Sequence, residues 1–236
     1  QVTGPFSGLS LGGRLKLVAR KLMLTPQMLP HLSWVIDHFR DGGLMQFVNV
    51  IDEQGQPMPY ADIGVQLAAS AVTWNDLKWI KEAWGGKPLI VKGVHCAYDA
   101  RKAEEMGASG VIWSNHGGRQ QDRVPPTLHI VAQEMPLVGD TQLDFMMDGG
   151  VRNGTDVLIA LSYGIKAVGI GRVTAAGIGA GGHVGLTRAF EIMESDLDRA
   201  MRIVGVQSVA EIHTRGADIR RESQLHGDGH LPPIVF

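Results

Sequence analysis

The 236-residue chain has a single cysteine, Cys96, so it can form no internal disulfide and no cysteine-built zinc cluster. Aromatic residues make up only 6%, and neither charge sign dominates: 22 Lys and Arg stand against 24 Asp and Glu, a net charge of −2. That balance argues against nucleic acid as a partner, since such binders carry a marked basic excess. No run of about 18 apolar residues occurs, the length that a membrane-spanning helix needs. Residues 1–20 lack the basic-then-apolar layout of a signal peptide. Cysteine usage of this kind suits a reducing, cytoplasmic compartment. Opening on Gln1 rather than Met agrees with a fragment or a processed product. What the chain does have is 31 glycines and a 44% hydrophobic share, enough at this length for a core without staples.

From about Val72 onward, apolar runs and amphipathic stretches alternate. Pro88–Lys92, Gly110–Ser114, Leu143–Met147 and Ala167–Gly171 read as strands. Between them Ala97–Met106, Thr127–Glu134 and Thr155–Tyr163 read as helices, the first and third closed by Gly107 and Gly164. A last helix fits Gly185–Val204, where Leu186, Phe190, Met193, Leu197, Met201 and Val204 recur at helical steps. Met106–Ser114 and Tyr163–Gly171 form a weak internal repeat in spacing and closing glycine. Strands that read as apolar on both faces and are joined by helices predict a parallel sheet covered on both sides. Repeated βα units favour a (β/α)8 barrel over an open sheet, although a closed barrel has about eight strands and only four are legible here. Residues 1–71 differ, with Gly12-Gly13, Gly42-Gly43 and several prolines. Their segment 14–24 mixes basic and apolar residues, and reads as a helix or long loop covering a barrel, or as a basic amphipathic helix on a membrane surface.

Polar residues and glycines gather at the C-terminal ends of the strands, where barrels and doubly wound sheets bind ligands. Lys92 ends an apolar strand and points either to water or to an anion. In Ser114-Asn-His-Gly-Gly-Arg-Gln-Gln-Asp122, His116 can take or give a proton near neutrality. Arg119 offers a planar fork for a carboxylate, and Gly117 and Gly118 admit a ligand to the backbone; the plain alternative is a decorated flexible loop. Asp148-Gly-Gly-Val-Arg-Asn-Gly154 follows the third strand and Gly171-Arg172 the fourth. Glycine N–H groups, a helix N-terminus, Arg152 and Arg172 are expected to converge as a phosphate cradle. Asp148 would accept from a ribose-like hydroxyl, or serve only as a turn or cap residue. Gly177–Gly182 fits G-x-G-x-x-G but lies beyond its strand, and is read as a loop before the last helix. The other histidines show no ligand spacing, so no metal site is expected.

Ile90-Val-Lys-Gly93, Ser114-Asn-His-Gly-Gly-Arg-Gln120, Asp148-Gly-Gly-Val-Arg-Asn-Gly154 and Ala167-Val-Gly-Ile-Gly-Arg172 occur in that order. With them, the stretch from about Val72 to Ile212 resembles the second half of the FMN-dependent 2-hydroxy acid oxidases and dehydrogenases, among them glycolate oxidase and the lactate and mandelate dehydrogenases. The resemblance implies an α/β fold of the (β/α)8 TIM-barrel type with only about the last four βα units present, a half-barrel fragment. Residues 72–214 would form the FMN-binding half, 1–71 the variable insertion before the fifth barrel strand, and 215–236 a C-terminal tail. Lys92 would lie by the flavin N1/O2 edge and steady the negative charge of the reduced ring. Ser114 would hydrogen-bond the isoalloxazine, His116 take the substrate hydroxyl or α-carbon proton, and Arg119 hold the substrate carboxylate. Asp148 would meet the ribityl chain, and Gly149, Gly150, Arg152, Gly171 and Arg172 the phosphate.

The implied reaction oxidises a small 2-hydroxy acid to the 2-oxo acid and passes electrons to oxygen, a quinone or a cytochrome. The implied setting is a homo-oligomer in the cytoplasm or at the periphery of the inner membrane. Gln121 stands where the family usually has leucine, and Val173 where proline is common. The first four βα units, with the family's active-site tyrosines and the aspartate that orients the histidine, are not represented in this sequence. Activity is therefore expected only when those units are supplied. Two other readings stay open: another FMN-dependent barrel, such as a type 2 isopentenyl diphosphate isomerase or an inosinate dehydrogenase relative, and a catalytically silent half-barrel that binds flavin or phosphate.

Overall fold

The computed structural model describes residues 72–220, together with Pro26 and residues 29–40, 49–52, 54–58 and 62–64. The chain divides into two units, Gln1–Val72 and Thr73–Phe236. In the first, helix α1 (Leu32–Arg40) stacks Trp34 on His38 one turn later, ring centroids 5.4 Å apart. The segment 14–24, with its two readings, lies outside the described residues.

In the second unit α2 (Asp76–Ala83) leads into an alternating series: β1 (Ile90–Val94), α3 (Ala97–Glu105), β2 (Gly110–Trp113), α4 (Thr127–Val138), β3 (Asp144–Asp148), α5 (Gly154–Ser162), β4 (Ala167–Gly169) and α6 (Arg172–Ile203). Two short helices follow, α7 (Val209–Thr214) and α8 (Gly216–Arg220). The strands are parallel and lie in chain order, β1-β2-β3-β4. An order without reversal differs from the doubly wound sheet, whose order turns back at a switch point.

Strand alternation sorts the side chains into two rows. Val111, Trp113, Phe145 and Met147 are buried with Ala100 and Ala103 of α3 and Ile130 and Val131 of α4. Trp113 stacks on Phe145 at 6.0 Å, and its indole Nε1 is buried without a hydrogen-bond partner, so the residue serves as volume. The other row is more open: Ile90 is 46% exposed, Lys92 and Ala167 are exposed, and Ile112 and Met146 are half-buried. A sheet covered on both sides was expected; among the described residues the connecting helices cover one face. Right-handed crossovers between strands in chain order put every connecting helix on the same face.

Gly107 (φ +89°) and Gly164 (φ +84°) adopt the left-handed conformation just past α3 and α5, as their positions predict. A second correction concerns Gly177–Gly182, expected as a loop. These residues lie inside α6, whose helical backbone starts at Arg172 and breaks only at Gly181 and Gly182. Gly177 and Gly185 serve close packing of the two helical arms, since a Cβ on Gly185 would stand 2.1 Å from the Gly177 carbonyl oxygen, whereas Gly179, Gly181 and Gly182 face open space. The beginning of the stretch read as a tail is helical. In α8, Gly216 closes on the Ser162 carbonyl, and the Arg220 guanidinium stands 4.1 Å from the Tyr163 ring centroid.

Candidate active site

The polar motifs meet at the C-terminal strand ends. The register of β1 against β2 slips between Lys92 and Val94, a bulge centred on Gly93 (φ +95°). Lys92 lies on the open row of the sheet, with Nζ 2.8 Å from Asp148 Oδ2 and 2.9 Å from Ser114 Oγ. Three residues singled out in the sequence, from the ends of three successive strands, thus come into contact. Ser114 is fully buried. Its hydroxyl donates to Asp148 and accepts from Lys92, and also from the His116 N–H at 3.1 Å. His95 Nε2 lies 2.7 Å from the Ser114 carbonyl oxygen.

His116 takes φ +52°, a region that non-glycine residues seldom occupy. It opens a short 3-10 turn, His116–Gly118, in which the Asn115 side chain accepts from the Gly117 N–H at 2.9 Å and donates to the Pro125 carbonyl at 3.2 Å. The His116 ring rests on Gly93, where a Cβ would stand 2.8 Å from Cε1. Glycine is needed at 93 for both its backbone angle and this space. Arg119 follows the turn with its side chain exposed.

Gly149 (φ +95°) and Gly150 (φ +83°) turn the chain away from β3. Gly149 is wedged, its missing Cβ 2.6 Å from Thr127 Oγ1 and 2.7 Å from Asn115 Oδ1, whereas Gly150 and Gly171 face open space. The N-terminus of α5 carries a capping box between Asn153 and Asp156. Its Arg152 N–H also donates to Asp156 at 2.8 Å, and its Gly154 N–H to Asp196 of α6 at 2.7 Å. These donors are therefore already engaged by carboxylates. The N-terminus of α6 has no side-chain cap, and Gly171 precedes it in the open. Arg152 lines a cavity of about 370 Å³ with Asn153, Arg188, Asp196 and Arg199; Arg172 is exposed and does not line it. Arg199 and then the Gly154 N–H hold the Asp196 carboxyl below the usual carboxylate range.

Sequence reasoning missed Gly93, His95, Asn115 and Thr127. A glycine directly after a strand lysine was the one available signal, since glycine in a strand often marks a bulge or a close approach. The rest become legible only through partners distant in the chain.

Chemically, the site offers open glycine N–H groups and an uncapped helix N-terminus for a phosphate, a carboxylate for hydroxyls, and an ammonium for a ring that gains negative charge. These residues fit a phosphorylated flavin. Residues 11–218 match the family model described as FMN-dependent dehydrogenase. An L-lactate dehydrogenase of Caulobacter vibrioides is 40% identical over 184 residues, 77% of this chain and 48% of that protein. An L-lactate dehydrogenase of Chromohalobacter salexigens is 36% identical, covering 79% of this chain and 48% of its own length. A 2-hydroxyacid oxidase of Dictyostelium discoideum is 36% identical, over 73% of this chain and 40% of the relative. The chain spans about half the length of the curated relatives it matches. Among solved structures, mandelate oxidase with 3,3-difluoro-2-hydroxy-3-phenylpropionic acid superposes with a TM-score of 0.57 at 32% identity, over 61% of this chain and 43% of that one. A mandelate oxidase variant with the monooxide FMN adduct gives 0.56 at 32%, over 61% and 45% of the two chains. A parallel sheet in chain order, a strand-end cluster suited to a flavin phosphate and its ring, and a match running from residue 11 to 218 agree with one another: the chain belongs to the FMN-dependent dehydrogenase family, whose cofactor is FMN.

Proposed function

We propose that this chain supplies the last four βα units of an FMN-dependent (β/α)8 barrel that oxidises a small 2-hydroxy acid to the 2-oxo acid, together with the units not represented here. The observation that carries the reading is His116, seated on Gly93 beside the strand ends where Lys92, Ser114 and Asp148 meet. In this reading residues 72–214 are the FMN-binding half, 1–71 the insertion before the fifth barrel strand, and 215–236 the C-terminal tail. FMN, when bound, supplies the two-electron acceptor.

The chain's own residues do the rest. His116 takes the proton from the substrate hydroxyl or α-carbon. Arg119, exposed beside the left-handed Gly117 and Gly118, holds the carboxylate in a bidentate fork. Lys92 stands against developing negative charge, and Asp148 accepts from the ribityl hydroxyls. Gly149, Gly150, Arg152, Gly171 and Arg172 hold the phosphate, with Gly171 and the uncapped start of α6 the donors with fewest competing partners. The names of the relatives, L-lactate dehydrogenase and 2-hydroxyacid oxidase, support a 2-hydroxy acid as substrate. Electrons leave to oxygen, a quinone or a cytochrome. The complete protein acts as a homo-oligomer in the cytoplasm, with residues 14–24 the segment to test for contact with a membrane.

Anaerobic addition of a 2-hydroxy acid to the complete, FMN-loaded protein should bleach its visible flavin band. His116→Gln should leave FMN bound and slow the bleaching by about 10²–10⁴-fold. Rates within a few-fold of wild type reject the proton-transfer role. Arg119→Lys should raise KM for carboxylate substrates, because an ammonium cannot reproduce the planar fork. An unchanged KM rejects the clamp.

A further inference from the structure

We propose that His95 is a positioning residue for the proton-transfer histidine: its Nε2–H donates to the Ser114 carbonyl and so fixes the peptide plane from which the His116 turn departs. The proposal rests on the reading of His116 as the group that takes the substrate proton, and it adds to that reading a side chain that lies outside the motifs.

His95 directly follows β1 and is half-buried, with Nε2 2.7 Å from the Ser114 carbonyl oxygen. A carbonyl oxygen only accepts, so Nε2 carries the hydrogen. That N–H is present in the neutral Nε2–H tautomer and in the imidazolium alike, so the bond does not depend on the charge of His95. One residue earlier in the chain, the Val94 carbonyl accepts the Ser114 N–H at 3.3 Å. The other end of the Ser114–Asn115 peptide is held as well: the Asn115 N–H donates to Thr127 Oγ1 at 3.3 Å. A peptide unit is planar, so one bond at its carbonyl and another at its N–H leave it little freedom to turn. Of the two, the bond from His95 lies within the usual N–H···O range and the bond to Thr127 just beyond it. His95 is therefore the firmer of the two holds on this plane.

What the plane controls is the approach to the catalytic turn. Asn115 (φ −95°, ψ 15°) leads straight into His116 at φ +52°, a conformation that persists only where the surroundings over-determine it. The His116 ring rests on Gly93, two residues before His95. The seat of the ring and the donor that fixes its approach thus belong to the same short stretch at the end of β1, and imidazole and seat are held together by one bond between the two loops. Without the His95 N–H, the carbonyl of a fully buried residue loses this donor and the turn carrying His116 is free to lift from Gly93.

The test uses the complete, FMN-loaded protein, with L-lactate as the reductant and two readouts. His95→Leu should retain FMN and slow the limiting rate of anaerobic flavin reduction by at least about tenfold, the cost of a misplaced reacting group. In the same variant, hydrogen exchange of the peptide carrying residues 116–118 should rise by at least about tenfold while β2 and α4 keep their wild-type protection. His95→Gln, whose side-chain amide N–H can reach the same carbonyl, should bring both readouts back to within about threefold of wild type. A wild-type rate and wild-type exchange in His95→Leu overturn the proposal, and so does a His95→Gln variant as impaired as His95→Leu. Should His95→Leu lose FMN, His95→Phe takes its place, since it keeps the shape of the ring without the N–H, and wild-type behaviour there overturns the proposal. Loss of FMN from both marks a role in the fold at large and overturns it too. A wild-type flavin that L-lactate does not bleach counts against the functional reading alone, because the exchange measurement needs no substrate and decides the tether by itself.

Discussion

His116 sits in a backbone region that costs a non-glycine residue about 1–3 kcal/mol, and it does so where its ring meets a glycine at φ +95°. The strain is held by hydrogen bonds from the His116 and Gly117 N–H groups to the side chains of the two preceding residues, Ser114 and Asn115, so the imidazole is aimed before substrate arrives. Gly93→Ala adds a Cβ 2.8 Å from the ring and a side chain at an unsuitable φ. We expect a loss of about 1–3 kcal/mol in urea unfolding and, in the complete enzyme, a larger loss of turnover than of FMN content. Full stability and turnover in that variant would show that the ring does not rest there. At this scale the motif residues Lys92, Ser114, His116 and Asp148 were legible as chemistry-bearing types at strand ends. Gly93 as the seat of the histidine was not, because the requirement arises from a contact between two separate loops.

The junction of α5 and α6 shows how one glycine and one carboxylate set the spacing of two helices. A Cβ on Gly154 would stand 2.0 Å from the backbone nitrogen of Leu197, so the helices meet at the closest approach a backbone permits. Gly154→Ala should therefore destabilise by at least about 1–3 kcal/mol. Asp196 accepts the Gly154 N–H at 2.7 Å and pairs with Arg199, and these partners depress its carboxyl in the folded chain. A depressed carboxyl contributes stability that is fully present above its unfolded value, about 4, and is lost as pH falls through the lower folded value. The gap in Tm between wild type and Asp196→Asn should hold steady above about pH 5 and close as pH drops below about 4. A gap independent of pH would place the effect elsewhere. The periodicity of Leu186 to Val204 made the second arm of α6 legible. Its glycine-rich first arm was not, since local propensity counts those glycines as breakers, and the use of Gly177 arises only from its contact with Gly185 and Ala189 of the second arm.

Among the described residues β1 and β4 each pair on one side only, and the row containing Ile90, Ile112 and Met146 is more open than its helix-covered counterpart. Strands paired on one side and a more open apolar row invite association. The 236-residue chain by itself should dimerise, aggregate or remain partly molten in light scattering and thermal unfolding. A monodisperse monomer with a sharp transition and bound FMN would show that this unit is self-sufficient. Within 89–91, 111–113 and 145–147 burial divides by strand parity: Ile90, Ile112 and Met146 lie on the open row, whereas Val111, Trp113, Phe145 and Met147 are buried. The sequence by itself determined the βα alternation, the closing glycines Gly107 and Gly164, and the strand ends at which chemistry gathers. Each of these follows from periodicity and from the backbone needs of residues adjacent in the chain. Only the tertiary structure decided which row the helices cover, that Gly177–Gly182 continues a helix up to a tight break, and that Lys92, Asp148 and His116 meet at the Ser114 hydroxyl. Those outcomes depend on atoms brought together from distant segments, whose separation is set by packing and is written in no local pattern.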